Sequence, residues 1–155
     1  TKRIVYTRPD GGVTVVCPAP EFMAKYTTEQ EVFDVLQARV VPVDATEVRI
    51  VELATIPVSR RFRDAWQQTS TIVEVSMLLA RNQRMAEIRR ERDKRLAASD
   101  RPLKAAEVQG NASKVTAWKD YQQVLRDLPQ SINLNSIATP EALDAYEPNW
   151  PVEPV

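Results

Sequence analysis

The side chains that most often carry chemistry are sparse in this chain. Histidine is absent, which removes the usual base of a Ser-His-Asp or Cys-His set and the commonest zinc ligand. The one cysteine, Cys17, follows the β-branched run Val13-Thr-Val-Val and precedes Pro18. That setting reads as a buried, inert thiol rather than a nucleophile. The carboxylates scatter along segments that read as exposed helix, and no spacing selects two of them as an acid and base pair. Gly11 and Gly12 lack the Lys-Ser/Thr and helix that must follow a phosphate-cradling loop, so they read as a turn. The expectation is a protein that is not an enzyme and that has no cofactor and no metal.

Two basic constellations remain. Arg60, Arg61 and Arg63 surround Phe62 and Trp66. One reading is a platform for single-stranded nucleic acid, with bases stacked on the rings. The other is an aromatic pair that seals a small sheet while the arginines reach out to water. Lys plus Arg and Asp plus Glu both number 21, and this zero net charge favours the second. From Arg81 to Arg95 there are seven Lys or Arg against Glu87, Glu91 and Asp93, a net of plus four; from Asp127 onward there are five acids and no Lys or Arg. Such a split can steer an acidic tail onto a basic helix, of its own chain or of a neighbouring copy. A solvated face, a protein-docking surface and a nucleic-acid surface are all open readings of the run. The interspersed acids and zero net charge make nucleic acid the weakest of them.

The elements that must position these groups fall into two parts. A chain of 155 residues can bury a core of its own. Arg3 to Arg8 and Val13 to Cys17 flank Pro9-Asp10-Gly11-Gly12, residues that tolerate the positive φ of a tight turn, so they predict a β-hairpin. Thr28 and Glu31 form a capping box for a helix to about Arg39, with Val32, Val35 and Leu36 inward and Phe33 beside them. Residues 47 to 54 alternate as a third strand, and Ser59 can cap a helical turn from Arg60 to Trp66. Residues 67 to 75 run from polar to β-like and mark the expected boundary, giving a small α+β domain over 1 to 70 and a second part over 71 to 155. No run reaches the length of a membrane span, and the first residues lack the apolar stretch of a signal peptide.

In the second part, Ser76 can cap a helix from Met77 to about Ala98 with the thin apolar seam Leu78, Met85, Ile88 and Leu96. Residues 101 to 113 read as the connection, with its flexible point at Gly110-Asn111. Trp118, Tyr121, Leu125 and Leu128 then lie on one stripe of a helix that Pro129 is expected to end. Thr139 and Pro140 open two turns ending near Tyr146. Pro148, Pro151 and Pro154 hold the last segment extended around Trp150. The predicted class is therefore α+β: an N-terminal antiparallel sheet with a helix, then a helical hairpin and an extended proline-rich tail.

The order Arg92-Asp-Lys-Arg95-Leu-Ala-Ala-Ser-Asp100, then Trp118 and Tyr121 with Leu125-Arg126-Asp127, then Trp150-Pro151 resembles the C-terminal part of phage tail assembly chaperone and tail-fibre assembly proteins. The resemblance covers about residues 84 to 154. Residues 130 to 148 are a longer insert than that pattern carries. The segment Ile56 to Trp66 also looks similar to a phrase in phage-encoded proteins. This likeness implies a tail accessory protein or fibre-assembly chaperone that binds a tail-fibre or baseplate protein; the charge split adds a second copy of the chain as a candidate partner, and with no run of spanning length no membrane contact is expected. It implies work in the host cytoplasm during assembly and a place in the virion tail. The expected partner-binding residues are Met85, Ile88, Leu96, Trp118, Tyr121, Leu125, Leu128, Tyr146, Trp150 and Pro151. The alternative is a nucleic-acid-binding accessory protein that uses the Arg-rich helix.

Overall fold

A computed structural model describes all 155 residues. It divides into two compact units, Thr1–Ala80 and Arg81–Val155.

The first unit is built on β1 (Lys2–Thr7), which lies between β2 (Val13–Val16) and β3 (Thr46–Glu52), antiparallel to both. Gly11 has φ +84°, the left-handed backbone that the hairpin turn needs and that glycine reaches without strain. Because side chains alternate along β1, Ile4 and Tyr6 face one way and Val5 the other. Ile4 and Tyr6 pack against Val32, Phe33 and Leu36 of α2 (Glu29–Val40), which follows the short helix α1 (Pro20–Met23). The Thr28–Glu31 capping box forms at the start of α2 as expected. Val35 is only half-buried, and Phe33 takes its place in the core.

Val5 packs on the other face with Val13, Ile56, Trp66 and Val73. That layer is a hairpin of β4 (Trp66–Gln68) and β5 (Val73–Val75), with Trp66 opposite Val75. Pairing to β5 draws Trp66 into a strand, so the helical turn expected from Arg60 to Trp66 shrinks to a 3₁₀ turn at Arg63–Ala65. Phe62 and Trp66 are both buried, in keeping with the sealing role. Residues 71 to 80 belong to the first unit through this hairpin. Cys17 is exposed rather than buried, because β2 stops one residue before it.

The second unit holds most of α3 (Met77–Val108), then α4 (Ala112–Ser131) and α5 (Pro140–Ala145). Ser76 Oγ accepts from the Leu79 N–H at 3.4 Å. Leu78 is 68 % exposed, so the apolar seam begins only at Met85. The helix runs on through Pro102 to Val108 instead of ending near Ala98. Pro102 has no N–H for the Ala98 carbonyl, but Ser99 and Ala106 on either side are buried, and their packing offsets the missing bond. What stops α3 is Gly110, with φ +66°. Its N–H donates to Glu107 O and the Asn111 N–H to Ala106 O, the left-handed ending that satisfies the last carbonyls. Asn111 Oδ1 then caps α4 by accepting from the Lys114 N–H. The connection is thus three residues, shorter than expected.

Pro129 does not end α4 either. It is buried within the last turn, beside Leu128, and the helix continues to Ser131. Thr139 caps α5 by accepting from the Ala142 N–H at 3.2 Å.

Candidate protein-docking site

Within the second unit, the stripe expected on α4 forms and packs inward. Tyr121, Leu125 and Leu128 are buried, and Trp118, half-buried, meets Tyr121 edge to face with ring centroids 5.5 Å apart. The α3 side supplies Ile88, Ser99 and Ala106 as buried residues. Gln122 Nε2 donates to Ser99 Oγ at 2.8 Å, and Ser99 Oγ donates to Leu96 O at 2.6 Å.

The chain end lies along α3. Arg81 donates from Nη2 to Ile137 O at 2.7 Å, and Arg84 from Nη2 to Tyr146 O at 2.6 Å. Arg84 also pairs with Glu87 at 3.3 Å and lies 3.9 Å from Glu147. Further along, the Arg95 guanidinium sits 4.6 Å from the Trp150 ring centroid while Glu91 Oε1 accepts from its Nε at 3.0 Å. Residues 81, 84, 88, 91 and 95 share one helical face. From Arg84 to Arg95 that face rises about 16 Å, and four extended residues from Tyr146 to Trp150 span about 12 Å. Side-chain reach closes the difference, so an extended tail fits this row of arginines and a coiled one would not.

A cleft of about 300 Å³ remains between this face and the tail, lined by Ile88, Glu91, Arg95, Pro148 and Trp150 among others. The charge split read from the sequence therefore acts within one chain. Guanidinium groups take tail carbonyl oxygens, a carboxylate and an aromatic face, all of which suit a planar cation.

The ten residues expected to bind a partner divide cleanly. Ile88, Tyr121, Leu125 and Leu128 are buried in the unit's own interior. Met85, Leu96, Trp118, Tyr146, Trp150 and Pro151 are half-buried and reach the surface. Residues that the expectation left out include Leu134 and Leu143, both buried, Pro148, also buried, and the arginines Arg81 and Arg84. Spacing within α5 could have marked Leu143, since it is the one large aliphatic residue in Pro140–Ala145. Nothing local marks Arg81, whose acceptor is the carbonyl of Ile137, far along the chain.

No helix is long and apolar enough to cross a membrane, and no group of His, Cys, Asp or Glu side chains gathers as a metal site. Residues 85–155 match the family model described as phage tail assembly chaperone protein, which bears out the resemblance read from Arg92–Asp100, Trp118, Tyr121 and Trp150-Pro151. The match supports a role in phage tail assembly and an interaction with phage tail proteins. No curated protein matches the chain, and no solved structure does.

Proposed function

We propose that this protein is a binding protein, not an enzyme, that engages a tail-fibre or baseplate protein during phage tail assembly through its C-terminal unit. It works in the host cytoplasm while tails are built and stays with the tail in the particle. The observation that carries this reading is the seat of Trp150 on Arg95 beside an open cleft, inside the segment that matches the family model. The half-buried set Met85, Leu96, Trp118, Tyr146, Trp150 and Pro151 offers the contact, while Ile88, Tyr121, Leu125 and Leu128 hold the helices that present it. An aromatic ring fixed between prolines loses little freedom when a partner covers it, which suits an interface anchor.

The pairing of the basic run speaks against nucleic acid as the partner. Arg81, Arg84, Arg92, Lys94 and Arg95 are all engaged by carbonyls, carboxylates or Trp150 of the same chain, so few of its cations are free to neutralise phosphates.

Binding of separately expressed fibre and baseplate proteins tests the reading. Trp150→Ala should weaken the complex by about 2 kcal/mol, roughly thirtyfold in affinity. Equal affinity of the two forms would sink the proposed contact. Mass spectrometry of purified particles reads whether the chain persists in the tail and in how many copies.

A further inference from the structure

We propose that the outer edge of β2 is a strand-addition site for an extended peptide bearing a carboxylate and, two residues away, an apolar side chain. The proposal concerns Thr1–Ala80, which lies outside the segment that matches the family model. It therefore stands or falls separately from the reading of the C-terminal unit.

The first observation is an open ladder. β2 is an edge strand, paired only to β1. The Arg8 N–H donates to Gly12 O, so Gly12, and by alternation Thr14 and Val16, direct their backbone groups at β1. Val13 and Val15 direct theirs away from it. Unpaired edge groups of this kind are a template for another strand.

Two adjoining clefts of different chemistry lie along that edge. One, of about 180 Å³, is lined by Val13, Thr14 and Val15 of β2 together with Arg8, Arg60, Arg63 and Asp64. Consecutive β2 residues point to opposite faces, so a cleft touching all three runs along the edge rather than over one face. Arg8 is already paired with Asp10 at 3.1 Å, and Arg63 lies 3.9 Å from Asp64, both ion pairs being solvent-exposed. Arg60, also exposed, has no such pair and is the free cation of the group. Trp66, 5 % exposed, lines the same cleft. An unpaired guanidinium beside two further arginines calls for an anionic oxygen, and a planar carboxylate suits its fork of donors.

The second cleft, of about 200 Å³, is lined by Leu53, Ile56, Pro57 and Val58 and shares Val15, Arg60 and Trp66 with the first. Val58 is fully exposed and Leu53 nearly half. The first cleft touches Val13 and Val15 and the second Val15 and Cys17, alternate residues of the edge on the face that carries Trp66. The step from one cleft to the next is one two-residue repeat of extended chain, about 7 Å. An added strand would thus present its carboxylate and its apolar side chain on one face, at i and i+2.

The test uses the full chain and capped eight-residue peptides with a Glu-Thr-Leu or Leu-Thr-Glu core in a Ser/Thr background, since strand direction is free. One order should bind at least tenfold more tightly than its Lys-for-Glu counterpart, with a Kd below about 1 mM. Arg60→Glu combined with Arg63→Glu, both exposed positions, should weaken that peptide by about tenfold or more. Methylating its backbone nitrogens on the pairing side keeps charge and side chains but blocks the ladder, and should abolish binding. The site is disproved if neither order binds, if the methylated peptide binds as well as the parent, or if an oligothymidylate of equal charge binds more tightly and loses affinity on the same substitutions.

Discussion

Gln122 Nε2 lies 2.8 Å from Ser99 Oγ and 3.1 Å from Asp100 Oδ1, and it joins α4 to α3 at a point where both Gln122 and Ser99 are almost wholly buried. A buried amide that finds partners fixes register, because sliding one helix along the other would strand it. Gln122→Leu fills similar volume but leaves Ser99 Oγ without its donor. The expected cost is about 1–2 kcal/mol in urea unfolding. Ser99→Ala should couple to it by about 1 kcal/mol in a double-mutant cycle. Strict additivity of the two changes would show that the contact carries no energy.

One helical step away on α4, the Tyr121 hydroxyl is buried without a partner, while its ring is held against Trp118. An unsatisfied buried hydroxyl costs free energy that the ring does not need. Tyr121→Phe should therefore leave stability unchanged or raise it by up to about 1 kcal/mol. A clear loss of stability in thermal or urea unfolding would mean that the hydroxyl has a partner in solution.

These two neighbours show what the sequence could and could not disclose. The stripe Trp118, Tyr121, Leu125 and Leu128 was legible because a helix imposes its period on apolar residues. The hairpin at Asp10-Gly11-Gly12 and the Thr28 capping box were legible because turns and caps need particular side chains at particular offsets. Pro129 misled for a local reason: a proline rule describes an isolated helix, and the buried packing around this proline overrides it. The Gln122–Ser99 bond and the Arg81–Ile137 contact span 23 and 56 positions, so no local pattern could announce them. The candidate site was half legible for a related reason. Periodicity finds apolar residues but does not say whether they face the molecule's own core, as Ile88 and Leu125 do, or a partner.

At the other end of the chain, the Asp10 carboxyl is held below its ordinary value of 3.8, chiefly by the Gly12 N–H at 2.9 Å and next by Arg8. A folded-state pKa that is depressed gives stability above the unfolded value, and that stability is lost as pH falls through the folded one. The window thus lies at and below about pH 3.8, and solvent screening keeps the effect small at this exposed site. An NMR titration of the Asp10 carboxyl should show a midpoint below that of an aspartate peptide. Arg8→Gln should raise the midpoint only partway, since the Gly12 donor remains. A midpoint at the ordinary value in the unmodified chain would show that the turn does not close in this way.

Pro102 gives the last prediction. It sits inside α3 with six helical residues beyond it, so the Ala98 carbonyl lacks its helical donor and the ring crowds the preceding turn. Elsewhere in a helix interior a proline costs about 3 kcal/mol relative to alanine. Part of that is recovered here, because proline also restricts the unfolded chain and Pro102 is half-buried. Pro102→Ala should accordingly stabilise the protein by about 1–2 kcal/mol, with slower amide exchange from Arg101 to Val108. If stability falls instead, the ring must be making contacts worth more than the helical bond it displaces, and the helix beyond Ala98 would owe its place to the proline rather than persist in spite of it.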